Sequence, residues 1–272
     1  MTESTPAPAS IVLIHGLWMT PLSWEKWIKR FSTKGHTAIA PGWPGVGDDI
    51  QALRKDPSGL AGLSIKKIVD YYAGIIRALP SPPIIMGHSF GGLFTQLLVD
   101  LGLGRAGVAI DSAPPKGIWF LPPSALRSAF PALDNPLNYG KAKALTPKQF
   151  RYAFGNLLSE EESNKVFETY AIPGPDRLLF QAALANVNPR SEAKVNFKNN
   201  DRPPLLLIAG GKDHVVPASL TKTNFGLYRK SKAITAYKEF PDRSHWTCGQ
   251  DGWEKVADFA LDWALNPKAV QA

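Results

Sequence analysis

One serine of the chain lies in a setting that would make its hydroxyl a nucleophile. Ser89 is the centre of the sequence GHSFGG at residues 87–92. Residues 84–86 form the short apolar run of a buried strand, and apolar residues at helical spacing follow the serine. Glycines on both sides let two backbones pass closely where a strand turns sharply into a helix. The pattern therefore predicts a tight strand-to-helix turn with the Ser89 hydroxyl at its apex.

The chemistry of such a serine is attack on a carbonyl carbon, and it requires two partners. A serine hydroxyl is a poor nucleophile at neutral pH, so it needs a histidine as base and a carboxylate that orients the histidine. Five histidines compete for the role of base. Asp213 and Asp111 compete for the role of acid, because each follows an apolar run typical of a buried strand.

Alternating strands and helices would have to position these groups. An amphipathic helix is predicted from Ser64 to Leu79, between two of the apolar runs. A second helix is predicted over residues 253–265, after the last apolar run. This alternation, with short loops, is typical of a doubly wound, mainly parallel α/β sheet of about six strands. The predicted strands cover residues 11–14, 37–40, 84–86, 106–110, 204–209 and 234–240.

The alternation stops over residues 117–198. Prolines and helical patches at 147–158, 159–170 and 177–185 replace it. We expect this stretch to be a helical insertion within one domain, because it has neither strands of its own nor a linker.

The GHSFGG sequence, between a strand and a helix, closely resembles the nucleophile elbow of the α/β-hydrolase fold family. The resemblance is to serine esterase- and lactonase-like members that carry a helical cap. It implies a core of residues 11–116 and 199–272, with residues 117–198 as a cap over the active site. Only ten residues precede the first predicted strand, so we expect the sheet to lack the antiparallel pair with which the family's sheet usually begins. Residues 1–10 are predicted to be a disordered tail.

The family's chain order of nucleophile, acid and histidine implies the remaining roles. It makes His245 the base, in the loop after the last predicted strand. It makes Asp213 the acid, within the pattern Gly-x-x-Asp-x-x-x-Pro, and leaves Asp111 as the alternative acid because some members use that position. The oxyanion hole would consist of two backbone N–H groups, those of Phe90 after the serine and of Leu17 after a His-Gly pair.

These roles imply a serine hydrolase that cleaves an ester or lactone bond through an acyl-enzyme on Ser89, without a metal or cofactor. The serine argues against relatives with an aspartate nucleophile, the haloalkane dehalogenases and epoxide hydrolases. The same triad leaves open a cofactor-independent perhydrolase, a carbon–carbon bond hydrolase and a hydroxynitrile lyase. It also leaves open a hydrolase-like ligand receptor with slow turnover.

Aromatic side chains in the loops around the predicted nucleophile favour a small to medium apolar substrate. Each of them could instead join the cap to the core. The residues are Trp18, Trp43, Phe90, Trp119, Phe120 and Trp246.

Composition and charge indicate which classes of binding partner and which compartment to expect. The net charge is +8, but the basic residues are scattered, which favours a solvated basic surface over nucleic-acid binding. No apolar run has the length of a membrane span or of a signal peptide, so we expect no membrane partner. A single cysteine, Cys248, suits a reducing compartment, and we expect a cytoplasmic protein with a small-molecule ester or lactone as partner. The sequence carries no signal for the oligomeric state.

Overall fold

The computed structural model describes residues 8–47 and 49–268. Most of the predicted disordered tail, residues 1–7, lies outside the described residues. Ala9 is buried, and its N–H donates to His36 Nδ1 at 3.2 Å. Ser10 begins the first strand. The prediction of a disordered tail over residues 1–10 is therefore wrong for residues 9 and 10, because both pack with the sheet.

The described residues form eight strands, and six of them make one parallel sheet. Its order is β2-β1-β3-β4-β7-β8, which confirms the predicted six-stranded parallel sheet. The two remaining strands pair with each other in antiparallel orientation. The strands are β1 (Ser10–Ile14), β2 (Thr37–Ile39), β3 (Ile84–His88), β4 (Ala106–Ile110), β5 (Ala142–Lys143), β6 (Gly174–Pro175), β7 (Leu205–Gly210) and β8 (Thr235–Phe240).

The strand order decides where a site can form. The chain runs outward from β1 to β2 and then returns to place β3 on the other side of β1. Loops after β1 and β3 therefore leave the carboxyl edge of the sheet in opposite directions, and a crevice opens between them. The predicted elbow follows β3 and the predicted oxyanion loop follows β1, so the fold brings both to this crevice.

Helices cover both faces of the sheet. Ser64 caps α4 as predicted, since its hydroxyl accepts the N–H of Lys67 at 3.3 Å. The helices are α1 (Glu25–Thr33), α2 (Ile50–Lys55), α3 (Ser58–Ala61), α4 (Ile65–Ala78), α5 (Phe90–Asp100), α6 (Pro123–Leu133), α7 (Pro147–Ala153), α8 (Glu160–Tyr170), α9 (Asp176–Ala183), α10 (Ala218–Leu227) and α11 (Trp253–Leu265).

Alternate residues of the inner strands, β1, β3, β4 and β7, contribute to two separate hydrophobic cores. On one face, α1 and α11 pack against side chains such as Leu13 and Met86. On the other face, α4 and α5 pack against side chains such as Ile14 and Ile85, and this core continues into residues 117–198. Burial of both faces explains why the inner strands are continuous apolar runs rather than alternating ones.

Residues 117–198, which we call the cap, hold α6 to α9 and the β5–β6 pair. The helices predicted at 159–170 and 177–185 correspond to α8 and α9. The helix predicted at 147–158 ends at Ala153, because the chain turns at Gly155, whose carbonyl accepts the N–H of Leu158. Sequence reasoning missed α6, whose prolines argue against a helix. Pro123 is tolerated in the first turn, where its missing N–H has no intrahelical acceptor.

Candidate active site

Ser89 occupies a strained turn between β3 and α5. Its φ of 56° and ψ of −118° lie outside the regions that an L residue with a side chain normally adopts. Two backbone hydrogen bonds hold it there: its N–H donates to Ile110 at 2.9 Å, and its carbonyl accepts from Ala113 at 2.9 Å. Both partners belong to the neighbouring strand or its loop, so the sheet itself imposes this conformation.

The glycines around Ser89 are required by close packing of backbones. A Cβ added at Gly87 would lie 2.0 Å from the Gly91 carbonyl oxygen. A Cβ added at Gly91 would lie 2.1 Å from the Ile14 carbonyl oxygen. The Gly-x-Ser-x-Gly spacing therefore lets α5 begin directly against β1 and β3.

His245 and Asp213 form a buried pair at the carboxyl edge of the sheet. His245 Nδ1 donates to Asp213 Oδ2 at 2.6 Å, and both side chains are closed to solvent. Asp213 Oδ1 accepts the N–H groups of Val215 at 2.6 Å and Val216 at 2.8 Å. Within the part of the chain that the structure describes, His245 Nε2 has no hydrogen-bond partner. The ring is thus oriented by its acid, and its other nitrogen is left available.

Burial sets the charge of this pair. It lowers the pKa of His245 below its ordinary value, because the charged imidazolium loses its solvation. Burial also raises the pKa of Asp213, because the charged carboxylate loses its solvation. The hydrogen bonds from the N–H groups of Val216 and Val215 lower this pKa, but by less than burial raises it. At neutral pH the imidazole is neutral, which is the form that accepts a proton.

His88 links the serine turn to the histidine loop. Its Nε2 bonds to the His245 carbonyl oxygen at 2.8 Å, and the two rings lie 4.6 Å apart. Ser89 is the next residue, and it is buried. Because His245 Nε2 has no partner among the described residues, no hydrogen bond joins the side chains of Ser89 and His245. Such bonds in unliganded sites commonly form only with substrate present.

Asp111, the alternative acid, is buried in the same region but makes different contacts. Its Oδ1 accepts the N–H of Gly210 at 2.6 Å, and its Oδ2 has no partner among the described residues. Its φ is 44°, a strained value for an aspartate. Burial, and then the nearby Asp213, raise its pKa well above the ordinary value. The hydrogen bond to the histidine is made by Asp213, whereas Asp111 braces the turn at the end of β7.

His88, Asp111 and His245 are also the one described group whose side chains could together hold a metal ion. Their candidate ligand atoms lie within 4.8 Å of one another. Each residue already uses one of these atom types in a protein hydrogen bond, to His245, Gly210 and Asp213 respectively. Of the three, His88 bonds to the histidine loop and Asp111 to the end of β7.

Two backbone N–H groups at the candidate site have no acceptor among the described residues. They belong to Leu17, in the loop after β1, and to Phe90, the first residue of α5. The first turn of a helix has no intrahelical acceptor for its N–H groups. His15, two residues before Leu17, joins this loop to Trp43. Its Nε2 accepts the N–H of Trp43 at 3.3 Å, and its ring stacks on the Trp43 ring. Burial lowers the pKa of His15 to about 4, so this acceptor stays neutral at physiological pH.

A cavity of about 130 Å³ lies between the sheet edge and the cap, and Ser89 lines it. The core side contributes Leu17, Phe90 and Val216, and the cap side contributes α6 and α9. Its polar side chains are the hydroxyls of Ser89 and Ser128. The full lining is Leu17, Trp18, Ser89, Phe90, Ala113, Pro114, Leu121, Ala125, Leu126, Ser128, Ala129, Leu133, Phe154, Leu179, Ala182, Ala183, Val215, Val216 and Leu220.

Of the aromatic residues predicted to surround the substrate, Trp18 and Phe90 line this cavity and four others do not. Trp43 is buried beneath it, against His15 and Phe94. Trp246 is buried against Tyr170 of the cap. Trp119 and Phe120 are 75% and 67% exposed. Two of these rings therefore join structural layers, and two point to solvent.

Sequence reasoning did not find the aliphatic side chains that the cap contributes. Ala125, Ala129 and Leu133 of α6 all line the cavity. They are four residues apart, so they share one face of the helix. This spacing was the available signal, and the prolines of α6 obscured it.

The sequence model described as the alpha/beta hydrolase family matches residues 11–259. No curated protein matches the chain by sequence.

Solved structures share the fold at low sequence identity. An extracellular α/β-hydrolase from a Paenibacillus species has a TM-score of 0.69 at 19% identity, covering 94% of this chain and 98% of its own. A monoacylglycerol lipase from Paleococcus ferrophilus has a TM-score of 0.65 at 20% identity, covering 96% of both chains. A pyrethroid hydrolase from Sphingobium faniae has a TM-score of 0.65 at 17% identity, covering 96% and 99%. At these identities the likeness shows the fold alone.

Proposed function

Because the chain belongs to the alpha/beta hydrolase family, we propose that it is a serine hydrolase that cleaves carboxylic esters through an acyl-enzyme on Ser89. The observation that carries the proposal is the buried His245–Asp213 pair. His245 Nε2 has no partner among the described residues, and its ring lies 4.6 Å from that of His88, the residue before Ser89. A strained turn and an oriented, neutral imidazole together have no evident structural purpose, but they are what a serine nucleophile requires.

The mechanism proceeds in two halves. Ser89 Oγ attacks the ester carbonyl carbon while its proton passes to His245 Nε2, and the carbonyl oxygen becomes an anion held by the N–H groups of Phe90 and Leu17. The C–O bond of the ester then breaks, and His245 returns the proton to the leaving alcohol. Water repeats the sequence on the acyl-enzyme and releases the acid. Asp213 holds the imidazole in the tautomer that leaves Nε2 unprotonated.

The cavity indicates the kind of substrate. Its lining is aliphatic and aromatic apart from two hydroxyls, so it favours a small to medium apolar ester and disfavours a charged one. A lactone is a cyclic ester and opens by the same steps. The structural neighbours named as a monoacylglycerol lipase and a pyrethroid hydrolase are consistent with ester cleavage on this fold.

A fluorophosphonate probe with peptide mapping, beside a panel of p-nitrophenyl esters, tests this function. We expect stoichiometric labelling at Ser89, hydrolysis of the esters, and loss of both in Ser89→Ala. Loss of turnover in that variant should reach about 10⁵-fold or more, as for other serine hydrolases that lose the nucleophile. Labelling without turnover would favour the receptor role, and absence of labelling in the folded protein would contradict the proposal.

A cytoplasmic location is also part of the proposal. The buried Cys248 is compatible with a reducing compartment. Among the described residues, no helix combines the length and the apolar character needed to cross a bilayer. Cell fractionation with an antibody would test the location, and recovery from the culture medium would contradict it.

A further inference from the structure

The loop after β1, which carries the Leu17 N–H, is bonded to the cap along one edge. The N–H of Ile172 donates to the Trp18 carbonyl at 3.0 Å, and the N–H of Thr20 donates to the Tyr170 carbonyl at 3.1 Å. An antiparallel bridge joins the residues between these pairs. Core and cap therefore share a short two-stranded ladder. We call its cap side, residues 170–172, the strap.

Arg54 of α2 fixes the strap from the core. Its Nε and Nη2 donate to the Ala171 carbonyl at 3.0 and 2.8 Å. Nη2 also donates to the carbonyls of Phe167 at 2.8 Å and Glu168 at 3.1 Å. These carbonyls end α8, where a cation is favoured because the last carbonyls of a helix lack intrahelical donors. One side chain thus ties down both the end of α8 and the strap.

The loop that the strap holds is strained next to the proposed oxyanion donor. Trp18 has a φ of 64°, a value that a bulky residue keeps only where its surroundings impose it. Its indole Nε1 donates to the Lys143 carbonyl of the cap at 3.1 Å. Leu17 directly precedes it, so relaxation of Trp18 would turn the Leu17–Trp18 peptide and, through Leu17, shift the adjoining peptide that carries the Leu17 N–H.

We propose that the strap and Arg54 position the Leu17 N–H for the oxyanion, so that docking of the cap on the core completes the oxyanion hole. The inference rests on the proposed function, because it assigns Leu17 the donor role given above. Arg54 is then a positioning residue. It lies outside the cavity lining and acts through Ala171 and Trp18.

Arg54→Ala tests the proposal through the split between kcat and KM. The kcat per labelled site should fall about 10- to 100-fold, in the range expected for a misplaced catalytic group, with KM changed less than about twofold. A trifluoromethyl ketone analogue of the best ester gives a second readout. Ser89 Oγ adds to its carbonyl carbon, the proton passes to His245, and the resulting oxyanion needs the Leu17 N–H. Its dissociation constant should rise by the same factor as kcat falls.

Titration of active sites with the fluorophosphonate distinguishes a positioning defect from a folding defect. A variant that is only unstable would have fewer labelled active sites but would keep its kcat per labelled site. Should Arg54→Ala not fold, Arg54→Lys retains the charge with fewer donors and should show the same split, less strongly. Arg77→Ala removes the same charge from the exposed end of α4 and should leave kcat unchanged.

The two proposals fail separately. A wild-type protein that is neither labelled nor active would overturn the proposed function. If the wild type is active and labelled, and the Arg54 variants keep its kcat and its inhibitor binding, the positioning role of the strap and Arg54 is wrong but the proposed function stands. A loss confined to KM would also overturn it, because it would indicate a role in substrate binding instead.

Discussion

His245 Nδ1 lies 2.6 Å from Asp213 Oδ2, and both side chains are sealed from solvent. The carboxylate has little freedom to rotate, because its second oxygen accepts two backbone N–H groups from the turn that follows it. The contact fixes the imidazole ring and the position of its proton. The base of the proposed mechanism is therefore oriented before any substrate arrives.

Exchange of Asp213 for its amide should disable the enzyme while keeping the shape of the site. In Asp213→Asn the amide N–H group faces Nδ1, which favours the tautomer with a protonated Nε2, and kcat should fall by about 10⁴-fold. Asp111→Asn should keep kcat within about tenfold of wild type, because that side chain braces Gly210 rather than the base. Steady-state kinetics on both variants decides the assignment. The reverse ranking would make Asp111 the acid.

The pH dependence of kcat/KM should have an acid limb whose midpoint lies below 6.5. His245 acts as base only when neutral, and burial lowers its pKa from the ordinary value of 6.5. Activity should therefore persist as the pH falls to 6.5 and be lost only as it falls further, through the lowered pKa. Rate profiles in constant-ionic-strength buffers measure the midpoint. A midpoint above 6.5 would mean that the Asp213 carboxylate outweighs burial.

The length of the acyl chain that the enzyme accepts should depend on Ala129. This residue lines the cavity from α6, and Ala129→Leu adds three carbons to a space of about 130 Å³. The ratio of kcat/KM for p-nitrophenyl octanoate to that for the acetate should fall by about tenfold or more. Ala78→Leu, at the exposed end of α4, is the matched control and should leave the ratio unchanged. An unchanged ratio in both variants would place the acyl chain elsewhere.

Gly87→Ala should destabilise the fold much more than an alanine at an ordinary glycine. The new Cβ would lie 2.0 Å from the Gly91 carbonyl oxygen, a backbone atom that cannot move aside as the end of a flexible side chain can. We expect a loss of about 3 kcal/mol or more in the free energy of unfolding. Gly74→Ala is the control: no atom lies within 4 Å of its added Cβ, and an alanine inside α4 should stabilise by about 0.5–1 kcal/mol. Urea denaturation of the three proteins measures both effects.

The sequence by itself determined the sheet and the turn at Ser89. The four inner strands are continuous apolar runs because both of their faces are buried, so local composition was enough to locate them. The two edge strands, β2 and β8, are less apolar and partly exposed. Ser64 and the helix after it could also be predicted from local sequence. The capping hydroxyl and the apolar residues at helical spacing lie within a few residues of each other. The family membership followed from GHSFGG in this strand-to-helix context.

Only the tertiary structure decided which distant groups meet. Asp213 and Asp111 end neighbouring strands and look alike in sequence, but the turns that follow them aim one carboxylate at His245 Nδ1 and the other at the Gly210 N–H. The tryptophans near the site were indistinguishable by sequence, yet Trp18 lines the cavity while Trp119 faces solvent. Arg54 and the strap are 117 residues apart, and no local pattern encodes a contact between a side chain and a distant backbone carbonyl. Such contacts depend on how the cap packs on the core, which is a property of the whole chain.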